Sequence, residues 1–248
     1  MRQRVIRLLA AAALSSAFLP ATAGEIKAVV VAGATGGTGS QMVTQLLEKG
    51  YTVRAFVRDA DRAREQLGDH VEYVDGDVKD PDSVAAAVAG MDALISAIGA
   101  GRGDDTPEAV DYQGVKNLAE AAAAADLQHF VLVSSRGATQ KDHPLNEMFN
   151  NVLIWKLEGE NALRASGVAY TIVRPGGLID EPGGRGRLVF EQGDSPVGQM
   201  FIPRADLAAI CVAALEHPES KFKTLETHRV DGEPAPDWAA NFAALQDD

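Results

Sequence analysis

The feature that most constrains the fold is a glycine-rich segment that joins an apolar run to an amphipathic pattern. Lys27–Ala32 is rich in β-branched residues and leads directly into Gly33–Gly39. A helical pattern follows, with Val43, Leu46 and Leu47 on one face. A strand, a glycine turn and a helix in this order are typical of the phosphate site of a dinucleotide-binding unit.

Each glycine of this turn has an expected task. Gly33 would allow the tight turn, Gly36 would let the backbone approach a pyrophosphate, and Gly39 would let the helix pack on the strand. The N–H groups and partial positive charge at the start of the helix would favour a phosphate. A tight structural turn without a ligand is the simpler alternative. The predicted cofactor-binding residues of the turn are Gly33, Thr35, Gly36, Gly37, Thr38 and Gly39.

The residues downstream indicate which dinucleotide is preferred. Tyr51–Val57 predicts a second strand, and an NAD-preferring site has an acidic residue about 20 residues after the glycines. Arg58 stands at that place here, and Arg54 precedes it by four residues. Guanidinium groups pair well with a 2′-phosphate, so the pattern predicts NADP(H). Two solvated arginines, with Asp59 serving the ribose, are the alternative.

The N-terminal residues have the three-part layout of a secretory signal peptide. Arg2, Arg4 and Arg7 form a basic start, Leu8–Leu19 is apolar, and Pro20–Ala23 offers small residues for cleavage. The apolar segment is shorter than the roughly 20 residues that a membrane span needs. The sequence therefore predicts export, to the periplasm of a cell that has one. A cytoplasmic location is the alternative, since NADP(H) is mainly a cytosolic cofactor.

Length and composition bound the remaining possibilities. We expect residues 1–23 to be a signal peptide and residues 24–248 to form one dinucleotide-binding domain. The formal net charge of −12 disfavours nucleic acid and anionic lipid as partners. Cys211 is the only cysteine, which excludes an intrachain disulfide, and its apolar neighbours predict a buried structural thiol. No His or Cys spacing suggests a metal site.

Apolar strand patterns alternate with helical patterns along the chain, which predicts a doubly wound α/β Rossmann domain with a mainly parallel sheet. Ligands of such sheets bind beyond the carboxyl ends of the strands. The predicted strands are Lys27–Ala32, Tyr51–Val57, Val71–Asp75, Asp92–Ala97, His129–Ser134, Val168–Val173 and a short one at Leu188–Phe190. The predicted later helices are Pro81–Ala89, Pro107–Ala125, Phe149–Ser166 and Asp206–Glu216, with a helical patch near Trp238.

Several short motifs, in their order and spacing, resemble those of atypical short-chain dehydrogenases/reductases. The resemblance is to the small NAD(P)-binding branch that includes NmrA-like proteins and the biliverdin/flavin reductases, and it covers roughly residues 27–215. The motifs are Val31–Gly39, Arg54 with Arg58, Gly76–Val78, Gly114–Leu118, Leu132–Ser135, Trp155–Lys156, Arg174–Leu178 and Arg204–Ala208.

The resemblance implies roles for residues at the strand ends. Asp77 and Val78 would frame the adenine, and Thr38 would contact phosphate. Lys156 would hydrogen-bond the nicotinamide ribose. The end of the sixth strand adds Pro175 and Gly176 to the predicted cofactor site. The residues that would line the nicotinamide ribose are Ser96, Ala97, Ile98 and Gly99.

The chain departs from the superfamily at the catalytic tyrosine. Dehydrogenases of this kind carry a Tyr four residues before the Lys, where one helical turn stacks the two side chains. Val152 occupies that position before Lys156. Tyr112 stands four residues before Lys116, but it matches a different segment of the family and we do not expect it to serve. Alcohol–ketone chemistry and epimerisation through a tyrosine are therefore disfavoured.

An acceptor that needs no strong acid remains possible. Flavins, quinones and similar conjugated rings accept a hydride while solvent supplies the proton, so the protein has only to position the two partners. The sequence thus predicts an NADP(H)-dependent reductase of a small conjugated acceptor, with Lys156 and Ser135 as the candidate catalytic residues. A non-catalytic NADP(H)-binding redox sensor or scaffold is the alternative.

Overall fold

The computed structural model describes residues 24–101, 105–194, 200–234 and 236–248. The predicted signal peptide, residues 1–23, lies outside the described residues. The strands are β1 Ala28–Ala32, β2 Thr52–Val57, β3 Glu72–Asp75, β4 Ala93–Ser96, β5 His129–Val133, β6 Tyr170–Pro175, β7 Gly177–Ile179, β8 Arg187–Glu191, β9 Phe201–Pro203 and β10 Lys223–Val230. The α-helices are α1 Gly37–Glu48, α2 Ala60–Leu67, α3 Pro81–Val88, α4 Val115–Ala124, α5 Pro144–Met148, α6 Val152–Ala165, α7 Arg204–Glu216 and α8 Trp238–Ala243.

The main sheet has eight strands in the order β3-β2-β1-β4-β5-β6-β10-β8. All neighbours are parallel except β8, which runs antiparallel to β10. The chain builds outward from β1 to β3 on one side and then from β4 to β6 on the other. This reversal leaves a crevice between the carboxyl ends of β1 and β4, where ligands of such sheets bind. Strands β7 and β9 form a separate parallel pair.

Both faces of the sheet are buried, as the alternation along β1 shows. Val29 and Val31 face a core that includes Met42 of α1 and Leu207 of α7. The intervening residues of β1 face the opposite core, which includes Leu118 of α4 and side chains of α3 and α6. The predicted doubly wound fold with a mainly parallel sheet is confirmed.

Two predicted helices are interrupted. The first turns of Pro107–Ala125 form a π-helix at Glu108–Gly114 before α4 begins. The predicted helix Phe149–Ser166 consists of α6 alone, because Asn150 and Asn151 have positive φ values of 50° and 60° and separate it from α5. Asparagine tolerates this left-handed conformation better than most residues.

Strand β10 was not predicted, because its sequence is largely polar. Five of its eight residues are Lys, Thr, Glu, Thr and His, yet all of these are buried. Lys223 donates to the backbone carbonyls of Phe242 at 3.0 Å and Leu245 at 2.7 Å, and Glu226 pairs with Arg174. Hydropathy alone does not identify a buried strand whose side chains are largely polar.

Candidate functional site

The glycine turn is shaped by close backbone packing at two of its positions. Gly33 has φ +80°, and a Cβ there would lie 2.8 Å from the carbonyl oxygen of Ala97 at the end of β4. A Cβ on Gly39 would overlap the carbonyl of Gly33. Gly36 is different, because a Cβ there would meet only the Gly33 oxygen at 3.2 Å, and Gly36 lies in the wall of a cleft. Gly36 thus leaves open the space that a phosphate backbone contact requires.

Helix α1 begins at this turn without a side-chain cap. Its N-cap residue is Gly36, and the first turn contains no acidic residue. By contrast, Asp59 accepts a hydrogen bond from the backbone of α2, and Asp80 does so at α3. The first N–H groups of a helix need an acceptor, so the start of α1 suits an anion.

A cleft of about 250 Å³ lies at the crevice between β1 and β4. The walls combine the glycine turn, the end of β2 and the loops that follow β3 and β4. The lining residues are Gly33, Thr35, Gly36, Phe56, Val57, Arg58, Gly76, Asp77, Val78, Ala97, Ile98, Gly99, Asp105 and Val110. The lining combines the exposed backbone of the glycine turn with the Arg58 side chain that follows β2.

Charged side chains form a cluster at the mouth of this cleft. Arg58 lies 2.9 Å from Asp105, and Lys79 lies 2.5 Å from the same carboxylate. The pKa of Asp105 lies below its usual value, mainly because Lys79 donates a hydrogen bond to its carboxylate. The nearby charge and hydrogen bond of Arg58 lower it further. The Arg58 side chain remains 74% exposed, so its guanidinium can change partners at little cost. Its predicted role toward a 2′-phosphate stays a prediction.

Arg54 lies away from the cleft, and we correct the sequence prediction for it. Its guanidinium donates to the carbonyl oxygens of Ala87 at 2.9 Å and Ala89 at 2.7 Å, at the end of α3, and pairs with Glu72 at 2.9 Å. Arg54 sits in the middle of β2, three residues before the strand end that faces the cleft. It therefore satisfies the last carbonyls of a helix instead of standing beside Arg58.

The other predicted cofactor residues are distributed around the cleft. Ala97, Ile98 and Gly99 are brought together with Asp77 and Val78 in its walls. The residues that lie outside the walls are Gly37, Thr38, Gly39, Ser96, Pro175 and Gly176.

Three of these outlying residues have a structural setting. Ser96 is completely buried at the end of β4. The carbonyl oxygen of Pro175 accepts from the backbone N–H of Arg136 at 3.0 Å, and the N–H of Gly176 donates to Thr227 at 2.9 Å. Direct cofactor contacts of these residues stay predictions.

A second cleft of about 420 Å³ adjoins the first and shares Gly99 and Asp105 with it. Both predicted catalytic residues, Ser135 and Lys156, lie in its wall. Much of the remaining wall is apolar, and its outer lip carries Met148 and Phe149, which are 67% and 51% exposed. The other lining residues are Ala100, Gly101, Pro107, Asp111, Leu145, Asn150, Val152 and Leu153.

Lys156 is held by a carboxylate that sequence reasoning missed. Its Nζ lies 2.7 Å from Asp111 Oδ1, and that side chain is only 1% exposed. Asp111 also accepts from the backbone N–H of Ala100 at 3.2 Å, which ties it to the loop after β4. Asp111 and Lys156 are 45 residues apart in sequence. The close approach of α6 to the π-helix depends on Gly159. The local sequence therefore contains no pattern that predicts this ion pair.

No tyrosine is among the wall residues of either cleft in the described part of the chain. Val152 lies in the second cleft, one helical turn before Lys156. Tyr112 stacks on Trp155 with ring centroids 6.0 Å apart, and Lys116 pairs with Glu120 at 2.7 Å. The structure thus places Tyr112 in an aromatic contact, and its exclusion from catalysis stays a prediction.

A buried ionic network ties the helix that carries Lys156 to the main sheet. Glu160, one turn after Lys156 on α6, accepts from Ser134 at 2.6 Å and from Arg174 at 2.9 and 2.6 Å. Arg174 also contacts Glu226 at 3.1 Å. Burial alone would lower the pKa of Arg174, but the hydrogen bonds and charges of Glu160 and Glu226 raise it. These contacts join α6 to the ends of β5, β6 and β10.

Among the described residues, no helix is long and apolar enough to cross a membrane. The same residues contain no group of three metal-ligating side chains. Cys211 is fully buried, and burial raises the pKa of its thiol, which fits the predicted structural role.

Known proteins share this architecture. Sanguinarine reductase of Eschscholzia californica is 35% identical, over 88% of this chain and 95% of that protein. The uncharacterised sugar epimerase YhfK of Bacillus subtilis is 32% identical, over 80% of this chain and 92% of that protein. The solved anaerobillin reductase ChuY of Escherichia coli O157:H7 has a TM-score of 0.69 and 26% identity, over 84% of this chain and 100% of that one.

The family comparison covers the same part of the molecule as the two clefts. The family described as NAD(P)H-binding matches residues 33–218, from the first glycine of the turn to the end of α7. This span includes both cleft walls and the Lys156–Asp111 pair. The chain therefore belongs to the NAD(P)H-binding family.

Proposed function

We propose that the protein is an NADP(H)-dependent reductase of a small conjugated acceptor, such as a flavin or a quinone. The observation that carries the proposal is the pair of adjoining clefts. One has the bare glycine turn of a dinucleotide site, and the other is an apolar slot that contains Lys156. Their shared residues, Gly99 and Asp105, mark where a cofactor and an acceptor would meet.

The preference for NADP(H) rests on Arg58. This guanidinium lies in the wall of the first cleft, and the position that would carry an acidic residue in an NAD site is basic. Because the Arg58 side chain is exposed, its guanidinium can exchange Asp105 for a 2′-phosphate and form a charge-assisted, bidentate contact.

The acceptor class follows from what the second cleft contains and lacks. Leu145, Met148, Phe149 and Leu153 give it apolar surface for a flat ring, and Val152 stands where a tyrosine acid would be. A reduced nicotinamide, when bound, supplies a hydride. The names of sanguinarine reductase and anaerobillin reductase agree with such an acceptor.

Lys156 holds a fixed positive charge at the base of the second cleft. The buried carboxylate of Asp111 orients its Nζ at 2.7 Å. A preorganised charge of this kind can stabilise negative charge that develops on an acceptor without costly reorganisation. Ser135, whose hydroxyl donates to the Arg136 carbonyl at 3.0 Å, lies in the same wall and can orient a polar group of the acceptor.

The test is oxidation of NADPH with a panel of flavins and quinones, with two phenylalanine variants. Phe149→Ser should raise the KM for the acceptor and leave the KM for NADPH unchanged. Phe222→Ser is the matched control, because Phe222 is equally exposed, at 47%, and packs on Tyr170 at the opposite edge of the sheet.

The outcomes separate the proposal from its rival. Turnover that responds to Phe149 and not to Phe222 supports a reductase. Tight NADPH binding with no turnover of any acceptor would instead favour a redox sensor or scaffold. The sensor or scaffold alternative has support of its own, because the wall residues of the described clefts include no tyrosine that could act as an acid.

We also propose that residues 1–23 direct export. The support is the basic start, the short apolar segment and the small residues at Ala21 and Ala23. The first strand of the fold begins only at Ala28. N-terminal sequencing of protein from fractionated cells should find a chain that begins near Gly24, and a cytosolic chain that retains Arg2 would refute export.

A further inference from the structure

We propose that Arg204, at the start of α7, binds the diphosphate of the dinucleotide together with the first turn of α1. The inference rests on the proposed function only in that a dinucleotide occupies the first cleft. It adds a second cation, from the distant C-terminal part of the chain, to the site that Arg58 serves at its other end.

The placement of Arg204 is the first step of the argument. A Cβ on Gly37 would lie 2.9 Å from both Cδ and Nε of Arg204, so the arginine side chain crosses directly over the first residue of α1. The arrangement is fixed by helix packing, since Gln45 of α1 donates to the carbonyl of Ala205 at 2.9 Å. Arg204 is therefore held beside the N–H groups that suit a phosphate.

The second step of the argument concerns the charges around Arg204 and the first turn of α1. Arg204 Nη1 contacts Asp180 at 2.8 Å, but the Asp180 side chain is 86% exposed. Exposed ion pairs of this kind contribute little, so a phosphate can replace the aspartate. The first turn of α1 has neither an acidic residue nor a side-chain cap to neutralise it. A diphosphate would satisfy both the helix N–H groups and the guanidinium.

The placement also explains why Gly37 is a glycine. A side chain at this position would push Arg204 from the helix start, whereas Gly36, its neighbour, leaves space toward the cleft. The two adjacent glycines then have different tasks. Gly36 lines the first cleft, and Gly37 makes room for the Arg204 side chain, which lies beside that cleft and not among its lining residues.

Fragment binding distinguishes the two arginines. NADPH, NADH and adenosine 2′-monophosphate are each titrated into the full chain and into Arg204→Gln by calorimetry. The affinities for NADPH and NADH should both fall by about tenfold, the scale of one charge-assisted contact. The affinity for adenosine 2′-monophosphate, which has no diphosphate, should not change. Arg58→Ala should give the opposite pattern, with loss of NADPH and adenosine 2′-monophosphate and no loss of NADH.

Two further variants exclude a purely structural role. Arg204→Lys keeps the charge and should retain part of the lost affinity. Asp180→Asn removes the competing carboxylate and should leave dinucleotide affinity equal or higher. If Asp180→Asn weakens binding as much as Arg204→Gln does, Arg204 acts only as an anchor and the inference is wrong.

The same titrations keep this inference separate from the proposed function. Wild-type protein that binds neither dinucleotide would overturn the proposed function itself. Wild-type protein that binds both, with Arg204→Gln binding them equally well, would overturn only the role of Arg204. Equal losses for all three ligands would also overturn it, because they would indicate a damaged site.

Discussion

At the scale of single residues, the glycines of the turn are each required for a different physical reason. Gly39 permits the backbone contact between α1 and the turn, and Gly33 needs both a positive φ and the space beside Ala97. Gly33 and Gly36 both line the cleft, but among the glycines of the turn only Gly36 would take a Cβ with no atom closer than 3.2 Å. Substitutions at these positions should therefore separate binding from stability.

Gly36→Val should abolish dinucleotide binding and leave a folded protein, because its side chain would occupy the space of the pyrophosphate. Gly39→Ala should instead lower the melting temperature, since its Cβ would overlap the carbonyl of Gly33. Circular dichroism melts and NADPH titration measure the two properties. A Gly36→Val protein with native fold and intact binding would move the cofactor site elsewhere.

Arg58→Ala should weaken NADPH binding by about 1–3 kcal/mol, the scale of a charge-assisted hydrogen bond. Binding of NADH should barely change, because that cofactor lacks the 2′-phosphate. Arg54→Ala is the comparison variant, since Arg54 contacts the end of α3 and should affect stability but not the ratio of the two affinities. Equal losses of NADPH and NADH in Arg58→Ala would contradict the 2′-phosphate assignment.

At the scale of elements, the sequence revealed those whose burial follows their hydropathy. Strands β1 and β5 are continuous apolar runs, and the turn before α1 carries a recognised glycine pattern. Strand β10 was not predicted because most of its side chains are polar although they are buried, and among these Lys223 and Glu226 contact groups of other elements. The contact of Asp111 with Lys156 was not predicted either, because only the packing of α6 on the π-helix brings the two side chains together.

The prediction that Arg54 contacts the cofactor failed because it, too, relied on sequence spacing and not on tertiary contacts. Arg54 is close to Arg58 in sequence, but a strand rises by about 3.3 Å per residue, so Arg54 lies about 10 Å before the end of β2 at Val57. Sequence spacing located the cleft, and tertiary contacts decided which arginine reaches it.

Strand β5 begins with a histidine that makes stability depend on pH. His129 is fully buried and lies 2.9 Å from Thr171 Oγ1. Burial, together with the charge of Lys221, lowers its pKa from 6.5 to about 3. The unfolded chain thus takes up a proton below about pH 6.5 that the folded chain refuses until about pH 3. The contribution to stability is complete above pH 6.5 and declines as the pH falls through that range.

Urea unfolding at pH 7.5 and pH 5.5 measures this effect. His129 should account for a loss of about 1.4 kcal/mol in the free energy of unfolding between these values. His129→Gln should be less stable at pH 7.5 but should lose less on acidification. His70→Gln serves as the control, because His70 is exposed and should leave the pH dependence unchanged. The same pH dependence in wild type and His129→Gln would contradict the assignment.

At the scale of the whole molecule, one ionic network joins the parts that carry the site. Glu160 on α6 contacts Ser134 after β5 and Arg174 on β6, and Arg174 in turn reaches Glu226 on β10. Lys156 lies one turn before Glu160 on the same helix. The position of the second cleft therefore depends on a strand, β10, that the sequence did not reveal.

Arg174→Met should lower the free energy of unfolding by about 3–5 kcal/mol, because it removes the cation that the buried carboxylates Glu160 and Glu226 share and leaves Glu160 paired with the partly exposed Arg164 at 3.1 Å. Adding Glu160→Gln should recover part of that loss, since the amide needs no counter-charge in an apolar site. Arg62→Met is the matched control, because Arg62 is exposed on α2 and its replacement should cost little. Denaturant melts of the four proteins decide the matter. If the single and double variants are equally unstable, the loss does not come from the charge of Glu160, and the coupling between β10 and the Lys156 helix runs through packing alone.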